Sequence, residues 1–302
     1  MTEEEWRTQC GFHLFESRPL YTRATARQVV LLVAAWLRRF DRYWAPLPSP
    51  SEIFQAIFHN RQMARALDFL ERWADGEAGP LGLKEAARDA REAAHFARVL
   101  VEDLVEDTEE RRLEYRAYVT DWAADSVEFA CDLIRLCGDP RRNLAEALAV
   151  LGDRSNPNLP PIVLEREEQR RGPRFSTPQQ RYLDRFVDDL RGPSQAVAEE
   201  AGSTSELQNA VHDAEFRAER PLMHDLFGNP FRPVVADPAW LSPATVAIAA
   251  AIYQDRAFDR MPVLADALEE AGCGNTDILL HCRTPGEHVR GCWVVDLVLG
   301  KE

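Results

Sequence analysis

The chain has 302 residues, of which 45% are hydrophobic and 28% charged, a balance typical of a globular protein with a buried core. Its formal net charge of −14 argues against a nucleic-acid partner, because affinity for phosphate backbones comes from clustered Lys and Arg. The longest apolar run, VVLLVAAWL at 29–37, is too short for a bilayer, and the acidic start MTEEEWRTQC is unlike a signal peptide. We therefore expect a cytoplasmic protein with no membrane partner.

The first half of the chain has helical periodicity almost throughout. The first predicted helix, over 25–41, places Val29, Val33 and Trp36 on one face. PLPSPSE at 46–52 interrupts the pattern. Beyond it we predict one helix through Ile53, Phe54 and Ile57, a second from Met63 to Trp73, and then helices over 83–106, around 113–136 and over 141–151. These patterns indicate an N-terminal helical bundle over 1–152.

The middle of the chain differs in composition from its two neighbours. Residues 153–176 are rich in Pro, Asn and mixed charges, as in a linker or an extended excursion. Thr177-Pro178 is a typical helix start, and another helix is expected at about 205–219. We treat 153–212 as a variable connector containing one or two helices.

The last part, 213–302, is predicted to be a C-terminal helical module. Its segment LFGNPFRPVVADPAWLSP, 226–243, contains four prolines, and its apolar residues suggest an ordered loop fixed across a helical surface. Ser242-Pro243 should start a helix, Asp259 should cap the next one, and Asn275 or Thr276 should cap TDILLHCR. The final segment RGCWVVDLVLG fits a helix by the spacing of its apolar residues. The predicted fold class is therefore all-α in both parts.

Chemistry is concentrated in HCRTPGEHVRGCW, residues 281–293. A zinc site could use His281, Cys282, His288 and Cys292, but only the last two have a spacing that suits one ion. His281 and Cys282 are adjacent, so on a helix they point about 100° apart. We therefore favour a packing role for these thiols and imidazoles, with no metal and no other cofactor. Zinc binding stays the alternative.

A cysteine nucleophile is a further alternative at the same segment. Cys292, His288 and Asp296 would share one helix face, but Trp293 and Val294 look like core residues, whereas a reactive Cys needs a cleft. Phosphate-binding, dinucleotide, GxSxG and HExxH motifs are absent from the sequence. An enzymatic function is therefore not expected.

The aromatic and Arg side chains of the C-terminal part suggest protein binding instead. Trp and Arg dominate the energetics of protein–protein interfaces. The alternative is that they fix the Pro-rich loop to the helices. The candidate binding residues are Arg232, Trp240, Arg260, Arg290 and Trp293.

The C-terminal run from DLFGNPFRPVVADPAWL to HVRGCWVVDLVLGKE resembles the shared C-terminal segment of a large paralogous family of uncharacterised proteins in planctomycete bacteria. The resemblance is close over 223–302 and loose over 25–100, and the family has no established activity. LADALEEAG also resembles the core of a short domain that accompanies repeat proteins in those bacteria. By analogy this implies an interaction or scaffold role. The preferred function is a non-enzymatic adaptor for another protein, and the alternative is a zinc-binding or Cys/His-dependent hydrolytic protein.

Overall fold

The computed structural model describes residues 2–9, 11–12, 23–40, 53–103, 110–149, 191 and 217–301. Within these ranges the protein is all-α, as predicted, with eleven α-helices, three single 3-10 turns and no β-strand. The helices are α1 (Glu3–Gln9), α2 (Ala26–Arg38), α3 (Ile53–Ala74), α4 (Leu83–Asp103), α5 (Glu110–Cys137), α6 (Leu144–Ala149), α7 (217–227), α8 (Pro243–Asp255), α9 (Met261–Glu270), α10 (Thr276–Arg283) and α11 (Trp293–Leu299). None of them is both long and apolar enough to cross a bilayer.

The chain forms two compact units that do not follow chain order. One consists of Gly11–Ala218, and the other joins Met1–Cys10 to Glu219–Glu302. The N-terminal helix α1 thus belongs with the C-terminal helices, although the sequence analysis grouped it with the bundle over 1–152. The predicted domain boundaries at 152 and 212, and the connector apart from residue 191, lie outside the described residues.

The first unit is a bundle in which α2, α3, α4 and α5 pack against one another. Helix α2 is capped by Thr25, which forms a capping box with Gln28, and its Trp36 ring is fully buried with Phe12 and Phe40 packed edge-on. The structure differs from the prediction at α3, which is one helix instead of two. No Gly or Pro interrupts residues 53–74, so one helix continues through both segments.

Ion pairs connect neighbouring helices of this bundle. Arg38 of α2 binds Glu71 of α3 at 2.9 Å, and Arg65 of α3 binds Asp89 of α4 at 3.0 Å. Arg91 of α4 reaches both Asp125 and Glu128 of α5. The helix predicted over 141–151 is observed as the shorter α6.

The second unit is built around the last four helices. Its core contains Ile252 and Tyr253 of α8, Leu264 and Leu268 of α9, Ile278 of α10, and Val294, Val295 and Val298 of α11. Ser242 caps α8 and Asn275 caps α10, as the sequence predicts, and the final segment is a helix. The predicted Asp259 cap is wrong, because Phe258–Arg260 forms a 3-10 turn and α9 begins at Met261 without a side-chain cap.

The Pro-rich segment between α7 and α8 is irregular, as predicted from its prolines, and the fourth proline of 226–243, Pro243, begins α8. Val234 and Trp240 pack against the core of the second unit. Phe231 is 36% exposed and Val235 is 84% exposed, so the segment covers the helical surface with only part of its apolar side chains.

Candidate metal centre

Four side chains of the second unit direct one donor atom each toward a common point. They are Asp225 of α7, His281 of α10, His288 of the loop after α10, and Cys292 at the start of α11. All four donor atoms lie within 4.8 Å of one another. Three separate stretches of the chain therefore meet at this cluster, which we call the DHHC cluster.

Local sequence signals explain how the segment 276–292 reaches this point. Asn275 fixes the start of α10 through its side chain, which accepts from the amides of Asp277 and Ile278. The helix ends at Arg283 because Pro285 follows, and Pro disfavours helix at the preceding residue. The loop then turns the chain back, and Cys292 occupies the position immediately before α11.

The distances within the DHHC cluster are short. His281 Nε2 lies 3.1 Å from Asp225 Oδ1 and 3.2 Å from Cys292 Sγ. His288 Nδ1 donates to Asp225 Oδ1 at 2.6 Å and lies 3.9 Å from Cys292 Sγ. In each histidine, a single ring nitrogen therefore faces both the carboxylate and the thiol. This nitrogen is Nε2 in His281 and Nδ1 in His288.

The carboxylate at the centre of this arrangement is buried. Asp225 is 1% exposed, and the backbone amide of Val289 donates to its second oxygen, Oδ2, at 2.8 Å. Burial alone would raise the pKa of the Asp225 carboxyl, but hydrogen bonds from His281 and His288 outweigh it and hold that pKa below its usual value. The carboxylate is thus kept charged in an apolar region. A buried charge of this kind needs positive or hydrogen-bonding partners around it.

The two cysteines of the segment have different surroundings. Burial and the adjacent Asp225 carboxylate raise the pKa of the Cys292 thiol well above its ordinary value. Cys282 is also buried, with a thiol pKa raised to about 12, mainly by burial, but it packs in the core of the second unit and is not in the DHHC cluster. Its neighbour His281 faces the cluster, as the angle between adjacent helical residues requires.

Two neighbouring rings, those of Trp293 and His288, pack against the His281 imidazole. The Trp293 ring packs against it at a tilt of 55° with centroids 5.3 Å apart, and the His288 ring meets it edge-on at 4.9 Å. Gly228, directly after α7, lies close to the Trp293 ring, since a Cβ at this position would be 3.1 Å from the indole. The glycine therefore allows the end of α7 to approach the ring that positions His281.

The residues predicted for protein binding are distributed over the second unit. Arg232 is exposed and pairs with Glu3 at 2.7 Å, and Arg260 is exposed. Trp240 packs on the core, and Arg290 stacks on the Tyr253 ring at 4.7 Å. Trp293 contacts the DHHC cluster through the His281 ring.

The structure differs from the favoured interpretation of the segment 281–293. That interpretation placed the thiols and imidazoles in separate packing roles, whereas His281, His288 and Cys292 converge. Asp225 was not among the predicted site residues. The available signal was one acidic residue within the buried run Leu222, Met223 and Leu226, where an unpartnered carboxylate would be costly.

Comparison with known proteins gives no further guide to the cluster. No protein-family model, no curated protein and no solved structure matches the chain. The interpretation of the DHHC cluster therefore depends on its own geometry and chemistry.

Proposed function

We propose that the second unit is a zinc-binding module in which Asp225, His281, His288 and Cys292 hold one ion as a structural centre, and that the protein is not an enzyme. The observation that carries the proposal is the convergence of four donor atoms within 4.8 Å of one another. These donors come from α7, from α10 and from the segment leading into α11, so one ion would cross-link three separate parts of the chain.

The spacing of the donors suits a tetrahedral ion. Zinc bonds of about 2.0–2.3 Å place tetrahedral donors roughly 3.3–3.6 Å apart. The distances from His281 Nε2 to the carboxylate and to the thiol are 3.1 and 3.2 Å, and the separation of His288 Nδ1 from the thiol is 3.9 Å. On binding the ion, the 2.6 Å hydrogen bond between His288 and Asp225 would lengthen, and the other separations, none above 4.8 Å, would adjust toward this range.

The donor types favour zinc over the abundant hard cations. Magnesium and calcium prefer shells made of oxygen atoms, whereas two imidazoles and a thiol are borderline or soft ligands. The Val289 amide bound to Asp225 is the kind of outer contact that orients a metal ligand.

A structural role follows from the number of protein donors. Catalytic zinc sites usually have three protein ligands and keep the fourth position for water or substrate. Here four side chains complete the tetrahedron. Asp225 and Cys292 are buried and the two histidines are largely covered, which leaves no exposed coordination position.

The geometry argues against the hydrolytic alternative. In a Cys–His–Asp relay the histidine uses one ring nitrogen for the nucleophile and the other for the acid. In the DHHC cluster the same nitrogen of each histidine faces both groups. The Cys292 thiol is also fully buried, with a pKa raised well above its ordinary value, which is the opposite of an activated nucleophile.

The zinc proposal is tested by the metal content of the purified full-length protein, with Cys292→Ala as the test variant and Cys282→Ala as its control. Both cysteines are buried in the same unit, but only Cys292 belongs to the cluster. We expect one equivalent of zinc in the unmodified protein and in Cys282→Ala, and loss of zinc from Cys292→Ala. Cobalt replacement should give the strong visible bands of a tetrahedral site and a thiolate charge-transfer band. Absence of stoichiometric zinc, or equal zinc in both variants, would refute the proposal.

We also propose that this unit binds another protein through its exposed Pro-rich segment. The supporting observation is that Phe231 and Val235 remain exposed beside the exposed Arg232, while Val234 and Trp240 of the same segment pack on the core. Trp240 and Arg290 contribute packing within the unit, so substitutions at Val235 and Phe231 are the better test. Val235→Asp and Phe231→Ser should abolish capture of the partner while zinc content is unchanged. Identical captured proteins from the variants would contradict this role.

A further inference from the structure

The N-terminal helix α1 contacts the second unit next to the proposed zinc ligands. Trp6 is 2% exposed, and its backbone carbonyl accepts a hydrogen bond of 3.0 Å from Nε2 of His224. The Trp6 and His224 rings lie 5.3 Å apart. His224 directly precedes Asp225 on α7, so the main anchor of α1 and a ligand of the DHHC cluster share one helical turn.

A second set of contacts connects α1 to the segment that follows α7. Asn229 donates to Glu3 at 3.0 Å, and Arg232 pairs with the same carboxylate at 2.7 Å. These residues follow Gly228, whose backbone lies against Trp293, and the Trp293 ring covers His281. The segment that binds Glu3 therefore also contacts, through Gly228, the Trp293 ring beside the ligand His281.

Helix α1 depends on these contacts for its own structure. It has seven residues, and helices of this length are marginal in water because nucleation is unfavourable. Thr2 and Glu5 exchange backbone and side-chain hydrogen bonds across its first turn, but such a capping box adds little to so short a helix. When Trp6 leaves its site, α1 should lose its helical structure.

We propose that zinc occupancy and the docking of α1 are thermodynamically coupled, an inference that rests on the zinc site proposed above. Zinc fixes Asp225 and His281, which holds α7 and Trp293 in the arrangement that α1 recognises. Removing the ion leaves a buried carboxylate and two imidazoles free to rearrange, and the surface for Trp6 changes with them. By linkage, the factor by which zinc favours docking equals the factor by which docking favours zinc.

The first experiment measures zinc affinity by competition with a chromogenic chelator in the unmodified full-length chain, Trp6→Ala and Arg7→Ala. Arg7 lies on the same helix, but its side chain is 72% exposed and pairs only locally with Glu4, so it is the matched control. We expect Trp6→Ala to bind zinc about tenfold more weakly, within the usual range of allosteric coupling, and Arg7→Ala to match the unmodified chain. Equal affinities in all three would overturn the coupling and leave the zinc site intact. Failure of the unmodified chain to bind zinc would refute the site itself.

The second experiment needs no substitution and therefore does not depend on the folding of a variant. Hydrogen–deuterium exchange of the full-length chain is compared with zinc bound and after chelation. Amides of α1 should exchange at least tenfold faster without zinc, while those of α2, in the other unit, should not change. Equal protection of α1 in both states would overturn the proposal.

Discussion

Replacing Gly228 by Ala tests the contact between the end of α7 and the Trp293 ring. Gly228 has φ of 58°, a left-handed conformation that costs an L-residue about 1–2 kcal/mol. The added Cβ would also lie 3.1 Å from two indole carbons, and overpacking of this kind costs about 1–3 kcal/mol. The sum predicts a destabilisation of the second unit of about 2–5 kcal/mol.

Gly300 provides a control in the same unit. It ends α11 with φ of 63°, and an added Cβ there meets no atom within 4 Å. Gly300→Ala should therefore cost only the conformational term of about 1–2 kcal/mol. The difference between the two variants isolates the contact with Trp293.

The assay for both variants is native-state hydrogen exchange of the slowest amides in residues 219–301, which reports the opening free energy of this unit separately from that of the bundle. Zinc affinity should also fall in Gly228→Ala, because a displaced Trp293 no longer supports His281. Equal destabilisation by the two substitutions would show that the approach of Gly228 to the indole contributes no packing energy.

Two other expectations concern thiols and ion pairs. Burial raises the pKa of the Cys131 and Cys137 thiols to about 12, so at pH 8 each thiol is ionised in roughly one molecule in ten thousand. Thiol labelling followed by peptide mass spectrometry should therefore modify both cysteines only after unfolding. Labelling of the folded protein at the rate of a free thiol would contradict their burial. Arg38→Met should destabilise the bundle by about 3 kcal/mol in urea unfolding, because it removes the guanidinium bound to the buried Glu71. The control Arg88→Met removes an exposed ion pair and should cost less than about 0.5 kcal/mol. Similar losses in the two Arg variants would show that burial of Glu71 has no energetic consequence.

Local signals in the sequence were sufficient to predict most of the helices. Thr25, Ser242 and Asn275 supply side-chain caps to the amides that follow them, and Gly138 ends α5 in a left-handed conformation. These interactions span four residues or fewer, so they are visible without tertiary structure. Asp259 failed as a cap because the chain forms a 3-10 turn there before α9 begins.

The sequence by itself determined the all-α class and singled out three of the four residues of the DHHC cluster. His281, His288 and Cys292 are close along the chain, so their concentration was apparent, although their convergence was not. Tertiary structure alone decided that Asp225 joins them, that Cys282 faces the core, and that α1 packs with the C-terminal helices. The physical reason is that a cluster of donors depends on distances in space. Those distances are set by how α7, α10 and α11 pack, and the periodicity of a single helix carries no information about which remote helix it meets.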